Sequence, residues 1–159
     1  GITTPVVVEI GIWNDYQRWF YEEMMGAYYI SIDISDIASE PTILGDSQQE
    51  STKNELLERL SGRRIDLLFI DGNHSYSGIK HDYEEYGALT DHLIVVHDIN
   101  SELVETDVEP IDVMRFWKEL QETNTSDTLI TFQHRNDTQF YGRQMGIGLV
   151  VKGGAGNVR

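Results

Sequence analysis

The sequence contains no cysteine. That excludes disulfides and thiolate metal sites, and says little about compartment. No apolar run approaches the ~20 residues that a membrane-spanning helix needs. The opening Gly1-Ile2-Thr3-Thr4-Pro5 has no basic stretch followed by an apolar one, so no secretory signal peptide is expected. An initial Gly without Met indicates a processed or trimmed chain. Positive charge is scarce: 12 Lys and Arg stand against 27 Asp and Glu, for a formal charge of -15. Such an acidic surface repels phosphate backbones, so neither DNA nor RNA is an expected partner. It does not oppose a cationic ligand such as a sulfonium. Internal repeats and linkers are also lacking. One soluble, cytoplasmic domain spanning residues 1–152 is expected, with a flexible glycine-rich tail over 153–159.

What is present suits a globular fold: 159 residues, 40% hydrophobic and 25% charged. Val6-Val7-Val8-Glu9-Ile10-Gly11 is a short apolar run of the kind buried on both faces of a sheet. A helical pattern follows, with Tyr16, Trp19, Phe20 and Met24 on one face and Gly26 as its stop. Tyr28 to Asp33 and Thr42 to Leu44 read as strands. Thr52 and Glu55 have the spacing of a capping box ahead of Leu56, Leu57 and Leu60. Ile65 to Ile70 is the clearest strand. Residues 76–89 read as a helix, His92 to Val96 as a strand, and Val113, Phe116, Trp117 and Leu120 as the inner face of another helix. Thr128 to Phe132 and Gly146 to Val151 close the chain as two strands, joined by a polar hairpin loop over 133–144. The alternation predicts an α/β, Rossmann-like, doubly wound sheet of seven mostly parallel strands with helices on both faces. The closing pair predicts one antiparallel strand at or near the edge.

Ligands of an open parallel sheet bind outside the carboxyl ends of its strands. Here those ends carry Glu9, Asp33, Asp46, Asp71 and Asp98, an acid on each of five consecutive strands. Like charges brought together call for a cation or for hydrogen-bond donors. Each acid alone could instead cap the following helix. An acid after the second strand can accept from ribose hydroxyls, Asp46 can accept from an adenine amino group, and Gly11 lets the backbone approach a ligand. The first turn, Gly11-Ile12-Trp13-Asn14-Asp15, has one glycine and no lysine, so it is not a phosphate loop. The ligand pattern is that of an adenosine.

Val8-Glu9-Ile10-Gly11, Ile32-Asp33, Gly45-Asp46-Ser47, Leu68-Phe69-Ile70-Asp71-Gly72-Asn73-His74-Ser75-Tyr76, Lys80-His81-Asp82 and Val96-His97-Asp98-Ile99 together resemble class I S-adenosylmethionine-dependent methyltransferases. Within them the chain is most similar to the branch of small-molecule and sugar O-methyltransferases and cephalosporin-hydroxylase-like proteins. The resemblance covers residues 6 to about 150 and implies a cofactor, S-adenosyl-L-methionine. It implies Glu9 and Gly11 at the methionine end, Asp33 with Ile34 at the ribose, Gly45, Asp46 and Ser47 at the adenine, and Asp71 where cofactor and reacting centre meet. It further implies His74 as general base and Asp71, His97 and Asp98 as ligands of a divalent ion. Because a histidine replaces an acid in that set, Mg2+, Mn2+, iron or no metal all stay open. The family's first motif usually carries more glycines than this one.

The expected function is therefore O-methylation of a small polar, sugar-like acceptor, with a homo-oligomer left open. Two alternatives remain: a non-catalytic adenosine-binding module, and a metal-dependent hydrolase that uses Asp71 and Asp98 without a nucleoside. Tyr76 and Lys80 fall one helical turn apart and face either substrate or solvent. His74 could simply cap the helix that starts near Ser75. His81, His92 and His134 read as surface or packing residues. The tryptophans read as core, with a pocket role open only for Trp13.

Overall fold

The computed structural model describes residues 4–100, 110–133 and 146–153. Seven strands form one sheet: β1 (Val6–Ile10), β2 (Tyr28–Asp33), β3 (Ile43–Leu44), β4 (Ile65–Ile70), β5 (Thr90–His97), β6 (Thr128–Gln133) and β7 (Gly146–Val151). Their order is β3-β2-β1-β4-β5-β7-β6. β1 to β5 pair in parallel, while β7 runs antiparallel between β5 and β6. The expected single antiparallel strand is thus β7, one place in from the edge. Order reverses between β1 and β4, where the chain leaves one half of the sheet for the other, and an α/β sheet opens its ligand crevice at that point.

Alternation along the strands separates two faces. Val6, Val8, Ile10, Ile30, Ile32, Leu68, Ile70, Ile94, Val96 and Val150 share one core with α1 (Glu50–Leu60), α2 (Tyr76–Gly87) and α3 (Val113–Thr123). The four apolar residues expected on the inner face of α3 are all buried. On the other face Val7 and Tyr29 meet Tyr21, which lies in a short π-type turn, Phe20–Met24. Helical segments therefore cover both faces, very unequally among the described residues.

Two local expectations are corrected. The helical face of Tyr16, Trp19, Phe20 and Met24 is exposed, from 51% to 82%. The buried residue is Tyr21, which stacks on Tyr29 at 5.3 Å and gives its hydroxyl proton to Gln17. A wide turn rotates each residue by less than the 100° of an α-helix, so an i, i+3, i+4 pattern does not mark its inner face. Nor does Thr52 cap a helix. α1 starts at Glu50 after Gln49, and Thr52 is buried inside it, where a Cβ on Gly45 would lie 2.6 Å from its hydroxyl. The expected 133–144 loop after Gln133, the tail after Gly153, and His134 lie outside the described residues.

Candidate functional site

The carboxyl ends of β1, β2, β3 and β4 open into a cleft of about 880 Å³, within the size range of small-molecule sites. Of the residues expected to hold a ligand, Glu9, Gly11, Asp33, Ile34, Gly45, Asp46, Ser47, Asp71 and His74 all line it. His97 and Asp98 do not, and stand behind Asp71 and His74.

At β1, Glu9 is buried, and the Tyr29 hydroxyl donates to its Oε2 at 2.6 Å. Burial outweighs that bond and pushes the carboxyl up to about 7. Gly11 follows with φ 80, its amide donating to the Ile32 carbonyl. The next bends keep the same backbone without glycine: Trp13 has φ 46 and Asp15 φ 53. Asp33 holds this turn in place. Its Oδ2 accepts from the amides of Ile12 at 2.9 Å and Trp13 at 3.3 Å, and its Oδ1 from the amide of Ser35 at 2.9 Å. A carboxylate offers roughly four acceptor positions, so with three amides on it Asp33 keeps about one open.

The loop after β3 is held from α2. Asp46 Oδ1 accepts from the Gln48 amide at 2.9 Å. The Gln48 side-chain amide donates to Asp82 Oδ1 at 2.8 Å, and the Tyr86 hydroxyl donates to the Ser47 carbonyl at 2.8 Å. Asp82 is fully buried, and burial raises its carboxyl to about 6. Sequence reasoning assigned Gln48, Asp82, Tyr86 and Tyr29 nothing. The only signal was Lys80-His81-Asp82, where an acid sits on the buried side of a helix.

After β4, Asp71 Oδ1 lies 3.1 Å from His74 Nε2 and 3.2 Å from His97 Nδ1. His74 Nδ1 is 3.7 Å from Asp98 Oδ2, so this imidazole spans two carboxylates. Ser75, not His74, caps α2 by accepting from the Gly78 amide, which leaves the histidine free for other work. Contact with Asp71 raises His74 above the usual imidazole value. Asp71 first, then Asp98, push His97 up to about 10. The two histidines in turn hold Asp71 low against its burial. Asp98 takes φ 60, a left-handed conformation that aspartate tolerates better than most residues. His97 Nδ1 and Asp98 Oδ1 are 3.3 Å apart, yet both are buried without an aligned hydrogen-bond partner. Asp71, His74 and Asp98 each bring one donor atom within 4.8 Å of the others. The ligand-capable group thus includes His74, with His97 packed beside it.

The remaining candidates sit elsewhere. Lys80 donates to the Tyr76 hydroxyl at 3.2 Å and to Glu119 at 2.8 Å, so this pair ties α2 to α3. His92 is exposed beside Asp66, and His81 lies 3.6 Å from Asp82. Trp117 is core, whereas Trp19 is exposed. No described helix is long and apolar enough to cross a membrane.

A family model described as a methyltransferase domain matches residues 32–99. No curated protein matches the chain. Solved structures do. An O-methyltransferase from Bacillus cereus in complex with SAH is 14% identical, with a TM-score of 0.58 over 92% of this chain and 74% of that one. The O-methyltransferase TomG from Streptomyces achromogenes, involved in tomaymycin synthesis and in complex with SAM, is 15% identical, with 0.59 over 93% and 73%. The MycE methyltransferase of the mycinamycin biosynthetic pathway, in complex with Mg, SAH and mycinamycin VI, is 18% identical, with 0.59 over 95% and 45%. At these identities the likeness is one of fold. Together with the family match it bears out the resemblance to class I S-adenosylmethionine-dependent methyltransferases and the Rossmann-like architecture.

Proposed function

We propose that this protein is an S-adenosylmethionine-dependent methyltransferase acting on an oxygen of a small polar, sugar-like acceptor. The observation that carries the reading is the placement of Glu9, Asp33 and Asp46 along one cleft that ends at the Asp71–His74 contact. A cofactor laid across the ends of β1, β2 and β3 would put its methyl group near that contact. Structural neighbours bound to SAM, SAH or both SAH and Mg support cofactor and chemistry alike.

In this reading Glu9 faces the cationic methionine end, Gly11 lets the backbone close on it, Asp33 and Ile34 hold the nucleoside, and Gly45, Asp46 and Ser47 meet the adenine. His74 takes the acceptor's hydroxyl proton, held at its Nε2 side by Asp71. When bound, S-adenosylmethionine would supply the methyl group to that oxygen, with its sulfur as the leaving group. Most of the acceleration comes from holding the two reactants in line. Asp71 and Asp98, whose donor atoms lie within 4.8 Å of each other and of His74, could hold a divalent ion, with His97 packed beside them. Two carboxylates converge there, and a buried ring nitrogen and carboxylate oxygen lack aligned partners. When bound, such an ion would lower the pKa of an acceptor hydroxyl. The test is methyl transfer from S-adenosylmethionine to a panel of sugars and diols, with and without EDTA. Methylated product supports the proposal. A protein that binds cofactor but methylates no acceptor favours the non-catalytic reading.

Glu9 makes the cofactor site sensitive to pH. Its folded pKa is about 7, and the cofactor's ammonium favours the ionised carboxylate. S-adenosylhomocysteine affinity should therefore rise ~10-fold from pH 6 to pH 8. Glu9→Gln should flatten this dependence. Calorimetric titrations at the two pH values check it, and an unchanged pH dependence in the variant refutes the role of Glu9.

A further inference from the structure

Trp13 is an anomaly of both backbone and side chain. It occupies the left-handed region at φ 46, where a bulky residue is a strained outlier. The strain is fixed from two sides: its amide donates to Asp33 Oδ2, and its carbonyl accepts from the Ser39 hydroxyl at 3.2 Å. Nothing in the core repays it, because the indole is 79% exposed. The indole nevertheless lines the cleft, together with Ile34 and Ile37, which are 74% and 92% exposed. Glycine would adopt this turn at no steric cost, yet the chain places a tryptophan there. A large apolar ring held in a strained conformation over a ligand cleft points to a contact made only when the cleft is filled.

The occupant follows from the neighbours. Trp13 is hydrogen-bonded to the carboxylate at the end of β2, the nucleoside end of the cleft, whereas His74 and Asp71 mark the reacting end. We propose that the Trp13 indole forms an apolar wall against the nucleoside of the bound cofactor, replacing by side-chain contact what a glycine turn supplies by close backbone approach. This rests on the methyltransferase reading. The acidic loop thereby gains an apolar surface that recognises the flat, weakly polar faces of adenosine.

A wall that serves the ligand and not the fold separates affinity from stability. Trp13→Gly removes the strain and the wall together. It should weaken S-adenosylhomocysteine binding ~10-fold by calorimetry while the Tm of the free protein stays level or rises by ~2 °C. Trp13→Phe, which keeps an aromatic ring, should bind within ~2-fold of wild type. Equal affinity in Trp13→Gly and wild type overturns the inference. So does a fall in affinity accompanied by a Tm loss of several degrees, the mark of a structural role. If wild type itself binds no S-adenosylhomocysteine, the methyltransferase reading fails and the inference falls with it.

Discussion

His74→Ala should lower the rate of methyl transfer by ~100- to 10,000-fold, the usual contribution of a positioned general base, and leave S-adenosylhomocysteine affinity within ~2-fold of wild type. Three features of the site set this expectation. His74 Nε2 lies 3.1 Å from Asp71 Oδ1, which fixes the ring and raises its basicity. The ring lines the cleft beside Asp71, whereas Asp33 ends β2 and Asp46 follows β3, so the proposed nucleoside contacts should survive its removal. Helix α2 does not depend on it, since Ser75 supplies the cap and the His74 backbone carbonyl, which accepts from the Asp112 amide, is kept in the variant. Single-turnover rates and calorimetry on the same preparation check both halves. A wild-type rate refutes the base assignment, and lost cofactor affinity moves His74 from chemistry to binding.

Gly11→Ala should cost ~3–5 kcal/mol of stability, in the range reserved for direct backbone conflict, and lower the Tm by ~10 °C. Two effects combine. Gly11 has φ 80, and a Cβ there would lie 2.2 Å from the Asp71 carbonyl oxygen and 2.5 Å from its carbon. These are backbone atoms that cannot swing aside. The clash would force apart β1 and β4 at the point where the cleft opens, so cofactor binding should fail as well. Gly62→Ala is the control. That residue has φ 81 with nothing within 4 Å of the added Cβ, so it should show only the ~1 kcal/mol cost of left-handed backbone. Thermal melts of both variants separate strain from collision. Equal losses would mean that the close approach of Gly11 to Asp71 does not matter.

The strands were legible because burial leaves mostly apolar runs, broken only by Glu9 in Val6–Ile10 and by Asp66 in Ile65–Ile70, and because each run is followed by a glycine or an acid. The rim of the site followed from those ends alone, without any knowledge of pairing. The turn after Gly11 was opaque. Nothing in Trp13-Asn14-Asp15 signals that Trp13 and Asp15 adopt left-handed backbone; the amides of Ile12 and Trp13 are held there by Asp33 from another strand. Tyr21 was missed because a π-type turn breaks the 3.6-residue period on which the reading relied. Asp82 and Gln48 were missed because their bond joins residues 34 positions apart, a contact that no local pattern encodes. The histidine pair was legible as residue types. Its arrangement was not, because only the left-handed Asp98 and the parallel register of β4 and β5 bring Asp71, His74, His97 and Asp98 together.

Everything functional hangs on the cleft at the ends of β1 to β4 being a nucleoside-cofactor site. Isothermal titration of S-adenosylhomocysteine into the metal-free protein at pH 8 tests this most directly. The expected result is saturable binding at one site per chain, weakened by Asp33→Ala. No detectable heat of binding at millimolar ligand, or binding indifferent to Asp33, would contradict it.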